Sequence, residues 1–218
     1  MKIARIPAVG AELPIGKILC IGRNYVGHIK ELGNETPAAP VIFMKPATSV
    51  IGDGDEIVIP PYSANCHHEA ELALLIGTGG KDIPVDKALS HLAGYGVAID
   101  LTLRDVQDEL KKKGLPWEIA KGFDTACPLS DFVPASTVAD PQQLQIRLTV
   151  NGTLRQDGST SLMIHSVAQI ISHISSIFTL EPGDIILTGT PAGVGPLVPG
   201  DRVCAEISEV GSLTVTVT

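Results

Sequence analysis

The chain has 218 residues, of which 44% are apolar and 4% aromatic, with 22 glycines and 16 prolines. This length suits one large domain with a sizeable core, and the glycine and proline content predicts many turns and short strands. The net charge of −8 argues against a nucleic-acid-binding protein, because contact with phosphates needs a basic surface. The chain has no apolar run of membrane-spanning length, and its start, MKIARIPAVG, lacks the long apolar core expected of a secretory signal. Its four widely spaced cysteines favour a cytoplasmic protein with reduced thiols.

Apolar periodicity and turn residues predict a β-rich α+β fold, with a short N-terminal extension over 1–16 and a single domain over 17–218. Strands are predicted over 17–22, 41–46, 56–61, 69–77, 95–100 and 184–189, with a β-hairpin over 145–158 that turns at Asn151-Gly152. Helices are predicted over 23–33, 85–92, 103–114 and 165–178.

Glu69 and Glu71 form the most informative short pattern in the chain. They lie in the apolar segment EAELALLIG, so a strand would place both carboxylates on one face and Leu72 and Leu74 on the other. Two buried carboxylates repel each other, and a hard divalent cation between them removes that cost. The alternative interpretation is a solvated strand face, where the Glu-x-Glu pattern is common.

Asp100 follows the next apolar strand and could add a third carboxylate to this site. Oxygen-only ligation suits Mg²⁺, Mn²⁺ or Ca²⁺ better than zinc, and three carboxylates with waters would fill an octahedral shell for Mg²⁺ at Glu69, Glu71 and Asp100. Alone, Asp100 could equally be the N-cap of the following helix. His67 and His68 are not expected to bind the ion, because oxygen ligands already satisfy a hard cation.

Three polar side chains further along the chain are candidates for substrate contact. Arg104 and Gln107 are spaced i,i+3 on one helix face, and both can hydrogen-bond a carboxylate. Lys121 stands apart from the charged helix face and could stabilise a developing oxyanion. The alternatives are an ordinary surface helix and a snorkelling lysine. The lysines over 111–113 are expected to be solvated.

His28 and Glu31 are also spaced i,i+3, so the carboxylate could orient the ring and raise its basicity toward water. As a bare pair they could instead be a surface ion pair. The proline-rich loop over 34–40 follows, which allows this helix to act as a lid. The glycine-rich segment 188–196 is not a phosphate-binding loop, and we interpret it as a tight turn that brings backbone N–H groups and the Thr190 hydroxyl to a carboxylate.

Seven short motifs follow one another along the chain. They are G-R-N-Y-x-x-H-x-x-E (22–31), F-M-K-P (43–46), H-H-E-x-E-L (67–72), D-x-T-x-R-D-x-Q (100–107), A-K-G-F-D (120–124), V-N-G-x-x-R-Q (150–156) and P-G-D-I-I-L-T-G-T-P-x-G-V-G (182–195). This ordered set resembles the fumarylacetoacetate hydrolase family over nearly the whole chain. The block KKKGLPWEIAKGFD most resembles its small acylpyruvase and oxaloacetate decarboxylase branch.

This resemblance implies a mixed β-sandwich roll with short helices, assembled as a homodimer. It implies a Mg²⁺ or Mn²⁺ ion held by Glu69, Glu71 and Asp100, and water activation by His28 and Glu31. Lys121 is implied as a catalytic residue that contacts the substrate. Positions that match substrate-binding residues are Arg23, Arg104, Gln107 and Thr190.

The implied activity is cleavage of a C–C bond in a small 2-oxo acid through a stabilised enolate. The enzyme would be an acylpyruvate hydrolase that releases pyruvate, an oxaloacetate decarboxylase, or both. One alternative is an isomerase, tautomerase or decarboxylase of 2-oxo or 2-hydroxy-dienoic diacids in aromatic catabolism. Another is a metal- or oxalate-binding protein without catalysis, although such a protein would not need a base directed at water.

Overall fold

Short β-strands dominate the computed structural model, which describes residues 1–33, 35, 37 and 39–218. The predicted loop over 34–40 and its lid role fall partly outside the described residues. The strands in the described part are β1 (Ile3–Ile6), β2 (Ala11–Pro14), β3 (Ile18–Gly22), β4 (Val41–Lys45), β5 (Val50–Ile51), β6 (Glu56–Ile57), β7 (Cys66–His68), β8 (Ala70–Ile76), β9 (Leu92–Ile99), β10 (Thr102–Leu103), β11 (Cys127–Pro128), β12 (Val133–Pro134), β13 (Gln145–Val150), β14 (Thr153–Ser159), β15 (Ile185–Leu187), β16 (Gly195–Leu197), β17 (Arg202–Ile207) and β18 (Gly211–Val217).

The helices are few and short. The α-helices of the described residues are α1 (Val26–Glu31), α2 (Arg104–Lys113), α3 (Glu118–Lys121) and α4 (Val167–Ile177). Helix α2 ends at Gly114, whose φ of 64° is the left-handed conformation expected of a glycine after a helix. Segment 85–92, predicted as a helix, contains the 3-10 helix Val85–His91. None of the described helices is long and apolar enough to span a membrane.

A six-stranded mixed sheet, ordered β12-β9-β8-β15-β3-β4, forms the centre of the molecule. Both faces of β8 are buried, because its side chains alternate between two apolar clusters. Leu72 and Leu74 belong to the cluster shared with the five-stranded sheet β14-β13-β17-β18-β6, whereas Leu75 belongs to the cluster shared with the N-terminal hairpin β1–β2. This layering confirms the predicted β-rich α+β fold with short helices.

The predicted hairpin turn is present in the structure, whereas one predicted strand is shorter than expected. Asn151 and Gly152 both have positive φ, 51° and 77°, and join β13 to β14 as a two-residue hairpin turn requires. The strand predicted over 56–61 is only Glu56–Ile57, because prolines follow at 60 and 61 and cannot donate to a sheet. The proposed division of the chain at residue 16 stays a prediction.

Helix α4 provides a test of the local sequence signals. The Ser166 side chain accepts a hydrogen bond from Gln169 N, and the Gln169 side chain accepts one from Ser166 N, which is a complete capping box. We expect Ser166→Ala to lower the free energy of unfolding by about 1 kcal/mol in urea titrations. Ser172→Ala is the control, since Ser172 lies in the same helix and its hydroxyl makes no hydrogen bond among the described residues. Equal effects of both substitutions would contradict the capping role.

Candidate active site

Three buried carboxylates converge at one end of the β8–β9 ladder. Glu71 lies in β8 opposite Ala98, and Asp100 follows β9 and donates its backbone N–H to the Glu69 carbonyl at 2.8 Å. One oxygen from each of Glu69, Glu71 and Asp100 lies within 4.8 Å of the others. Antiparallel pairing therefore brings Asp100 to the two glutamates, as the sequence pattern anticipated.

Glu69 does not belong to the strand predicted over 69–77. Strand β7 ends at His68 and β8 begins at Ala70, so Glu69 lies at the interruption between the two strands. Gln156 fills the break. Its Oε1 accepts a hydrogen bond from Ala70 N at 3.0 Å and lies 3.2 Å from His68 Nδ1, while its Nε2 donates to Thr190 Oγ1 at 2.8 Å. Gln156 is fully buried. It is the last residue of the V-N-G-x-x-R-Q motif, but nothing in the sequence indicated that it hydrogen-bonds to the residues around Glu69.

Three cationic side chains surround the carboxylates. Lys121 Nζ donates to Glu69 Oε2 at 2.9 Å and to Asp100 Oδ2 at 2.6 Å, and the Arg104 guanidinium pairs with Glu69 Oε1. Lys45 was not singled out from the sequence. Its Nζ is completely buried, lies 2.7 Å from Asp100 Oδ1 and donates to main-chain carbonyls that include that of Lys121.

The two glutamates have opposite electrostatic situations. Burial alone would raise the pKa of Glu69, but the charges of Lys121 and Arg104 hold it well below its ordinary range. Burial raises the pKa of Glu71 well above its ordinary value, and the neighbouring Asp100 and Glu69 carboxylates raise it further. The cluster thus lacks positive charge at Glu71.

The donor set fits a divalent cation of the Mg²⁺ or Mn²⁺ type. All three candidate ligands are carboxylates, which such hard cations prefer, and their oxygens are close enough for one ion to contact all three. A cation would also supply the charge that Glu71 lacks.

His28 and Glu31 lie on helix α1 beside this cluster. His28 Nδ1 is 3.6 Å from Glu31 Oε2, and the Glu31 carboxylate accepts hydrogen bonds from Gly193 N at 3.0 and 3.2 Å. Burial lowers the pKa of His28 from its usual 6.5, with Glu69 opposing and Arg104 adding to that shift. The ring is therefore neutral at physiological pH and able to accept a proton.

The turn over 188–196 hydrogen-bonds both Glu71 of the carboxylate cluster and Glu31 of helix α1. Gly189 N donates to Glu71 Oε2 at 2.6 Å, and Gly193 N donates to Glu31. Both glycines have positive φ, 95° and 100°, and a Cβ on Gly193 would lie 2.1 Å from the Arg155 carbonyl oxygen. The predicted N–H groups thus reach carboxylates of the protein itself. The Thr190 hydroxyl donates to the Ala70 carbonyl, and its substrate-binding role stays a prediction.

A narrow pocket opens over the cluster. It is lined by predicted site residues from several segments, together with apolar side chains: Gly22, Arg23, His28, Leu32, Phe43, Glu69, Arg104, Gln107, Lys111, Trp117 and Lys121. Gln107 Oε1 accepts a hydrogen bond from Arg104 at 2.9 Å, so these two residues share a face as predicted.

Lys111 differs from the sequence-based expectation. Lys112 and Lys113 are solvated, with side chains 71% and 65% exposed, but the Lys111 side chain is only 26% exposed. Its Nζ lies 5.7 Å from the centre of the Trp117 ring, which is a cation–π contact. Trp117 follows the helix and folds back on it, so the lysine run alone could not reveal this contact.

Comparison with known proteins identifies the family to which the chain belongs. The family model "Fumarylacetoacetate (FAA) hydrolase C-terminal" matches residues 17–218. The mitochondrial oxaloacetate tautomerase FAHD1 of Mus musculus is 50% identical over 196 residues, which are 90% of this chain and 89% of the relative. The oxaloacetate tautomerase YcgM of Escherichia coli is 48% identical over 193 residues, which are 88% of each chain.

A solved structure agrees over the full length. The fumarylpyruvate hydrolase of Pseudomonas aeruginosa, in complex with Mn²⁺ and pyruvate, superimposes with a TM-score of 0.96 at 38% identity and covers 100% of this chain and 95% of that one. The similarity includes the mixed β-sandwich roll predicted from the motifs. The chain therefore belongs to the fumarylacetoacetate hydrolase family and is one of its enzymes.

Proposed function

We propose that this enzyme acts on small 2-oxo acids and that its principal reaction is the keto–enol interconversion of oxaloacetate. The observation that carries the proposal is the buried cluster of Glu69, Glu71 and Asp100 with the Lys121 ammonium in direct contact. Once such a cluster holds a divalent cation, the cation and the Lys121 ammonium would together stabilise negative charge on a keto oxygen. The two relatives named oxaloacetate tautomerase, at 50% and 48% identity, support the choice of reaction.

We further propose that Glu69, Glu71 and Asp100 hold Mg²⁺ or Mn²⁺. When bound, the ion would supply Lewis-acid polarisation of the substrate's keto and carboxylate oxygens. The Mn²⁺ in the fumarylpyruvate hydrolase complex supports a divalent ion in this family. The ligand set holds three negative charges, and Lys45, Arg104 and Lys121 carry three positive charges beside it.

The protein's own residues then have separate tasks. Lys121, buried and charged because Asp100 and Glu69 raise its pKa against the effect of burial, donates to the oxygen where negative charge develops. Neutral His28 moves the proton between the carbon next to the carbonyl and that oxygen, and Glu31 orients its ring. Arg104 and Gln107 bind the carboxylate beside the keto group.

Hydrolysis of an acylpyruvate is a second candidate activity. The arrangement that favours it is the His28–Glu31 pair, which Gly193 holds in place and which could remove a proton from water as readily as from carbon. The 38% identity to a fumarylpyruvate hydrolase supports it. Decarboxylation of oxaloacetate needs no attacking water and could accompany either reaction. Isomerisation of a dienoic diacid is a related possibility, since an enzyme named 2-hydroxyhepta-2,4-diene-1,7-dioate isomerase, from Mycobacterium marinum, superimposes with a TM-score of 0.83 at 38% identity.

The homodimer and the cytoplasmic location stay proposals. The mammalian relatives carry a mitochondrial designation.

The activity itself is tested with three assays on the same preparation. We expect rapid loss of the ultraviolet absorbance of enol-oxaloacetate with Mg²⁺ or Mn²⁺, slower pyruvate release from oxaloacetate and from acetylpyruvate, and loss of all three with EDTA. Dominant pyruvate release would favour the hydrolase or decarboxylase assignment. Absence of metal-dependent turnover in every assay would refute the proposal.

Glu71→Gln tests the metal site without relying on activity. Because the pKa of Glu71 is raised, ionising it costs folding free energy as the pH rises above 4.5, and glutamine lacks this cost. The metal-free variant should therefore be at least as stable as wild type at about pH 8. Mg²⁺ or Mn²⁺ at about 100 times Kd should raise the wild-type Tm by about 5–10 °C and the variant much less. The exposed Glu109→Gln is the control, and equal metal-induced shifts in Glu71→Gln and wild type would exclude Glu71 as a ligand.

His28 should separate reactions that need a base from one that does not. We expect His28→Ala to reduce tautomerisation and hydrolysis by about 100-fold or more, and decarboxylation far less. Since the His28 pKa lies below 6.5, wild-type kcat/KM for hydrolysis should stay level down to that pH and fall only below it. Equal losses in all three reactions, or an acidic limb above pH 6.5, would contradict this role.

A further inference from the structure

Four cationic side chains line the pocket over the carboxylate cluster, and two of them pair with a carboxylate of the pocket lining. Arg104 and Lys121 both pair with Glu69, which is the one carboxylate among the described lining residues. Arg23 makes no ion pair or hydrogen bond in the described part of the chain. Lys111 has one contact to a carboxylate there, 3.7 Å from the half-exposed Asp108.

Arg23 and Lys111 lie nearer the solvent than the paired cations. Arg104 and Lys121 are 7% and 3% exposed, whereas Arg23 and Lys111 are half-buried. The pocket thus has an inner end, where Arg104 and Lys121 pair with Glu69, and an outer end where the described lining residues offer no carboxylate to Arg23 and Lys111.

The backbone and packing hold both outer cations in position. Arg23 has a φ of 60°, a left-handed conformation that is uncommon for residues other than glycine and that clusters at ligand sites. The Lys111 ammonium is held at the Trp117 ring, and Trp117 is in turn 5.9 Å from Phe43 in the pocket wall. A freely solvated lysine would lack this contact with an aromatic ring.

The cations at this end repel one another. Burial lowers the pKa of Lys111, and the nearby charges of Arg104, Arg23 and Lys121 lower it further, with Asp108 opposing the shift. An anion placed between Arg23 and Lys111 would relieve this repulsion and satisfy both side chains with charge-assisted hydrogen bonds.

We propose that Arg23 and Lys111 form a subsite for the second carboxylate of the substrate, so that the enzyme selects 2-oxo dicarboxylates over 2-oxo monocarboxylates. The inference rests on the proposed function, in which the inner end binds the 2-oxo acid group. It assigns to Lys111 a binding role and gives Arg23 a specific partner. In this arrangement a 2-oxo diacid would place its second carboxylate at Arg23 and Lys111, whereas oxalate would occupy the inner end alone.

The test is equilibrium binding by calorimetry with Mg²⁺ present, using two probes that cannot tautomerise. Oxalate reports on the inner end, and 3,3-difluorooxaloacetate, which has no hydrogen at C3 to transfer, reports on both ends. ¹⁹F NMR of the titrated sample checks that the fluorinated probe has kept its second carboxylate. Lys111→Met keeps an unbranched side chain over Trp117 but removes the charge. Lys112→Met is the matched control, because Lys112 is the adjacent solvated lysine.

We expect Lys111→Met to weaken difluorooxaloacetate binding about tenfold, with oxalate affinity within about twofold of wild type. Arg23→Gln should give the same pattern, and Lys112→Met should change neither affinity. Unchanged binding of both probes to Lys111→Met, or an equal loss for both, would overturn the subsite while leaving the proposed function standing. Failure of the wild type to bind either probe would overturn both proposals.

Discussion

Mutual repulsion among three buried carboxylates is the constraint on which the rest of this structure depends. Pairing of β8 with β9 fixes Glu71 and brings Asp100 to Glu69, so the repulsion cannot be relieved by moving one residue away. The compensating cations come from separate segments: Lys45 ends β4, Arg104 begins α2 and Lys121 ends α3. Neutralising the carboxylates therefore also fastens two helices and an edge strand to the end of the central sheet.

The positive charge that neutralises the three carboxylates is distributed unevenly. This uneven distribution leaves one carboxylate able to bind a further cation. Glu69 is paired with two cations, whereas Glu71 receives one backbone N–H and two neighbouring negative charges. A buried carboxylate in this situation must bind a proton or a cation. Positive charge is likewise in excess at the pocket mouth, so a protein with a net charge of −8 can still attract an anion there.

The sequence could predict what depends on local pattern. Alternation in the glutamate segment, the Asn151-Gly152 turn and the glycine that ends α2 follow from one stretch of chain each, and the ordered motifs extended this to the family fold. Contacts between distant segments were not predictable. Lys45 reaches carbonyls more than 50 residues away, and Gln156 fills a break in a strand 86 residues earlier. Neither role has a periodicity that a reader of the sequence could detect.

The turn over 188–196 links the two halves of the proposed chemistry. Its Gly189 N–H holds Glu71 of the carboxylate cluster, and its Gly193 N–H holds Glu31, the partner of the base His28. Removing a proton from carbon is favourable only while the neighbouring oxygen is stabilised, so the base and the carboxylate cluster must keep a fixed separation. One tight turn, in a backbone conformation that glycine adopts at little cost, sets that separation for both groups. The glycines of this segment therefore fix the distance between the proposed base and the proposed metal ligands, which accounts for two of its glycines.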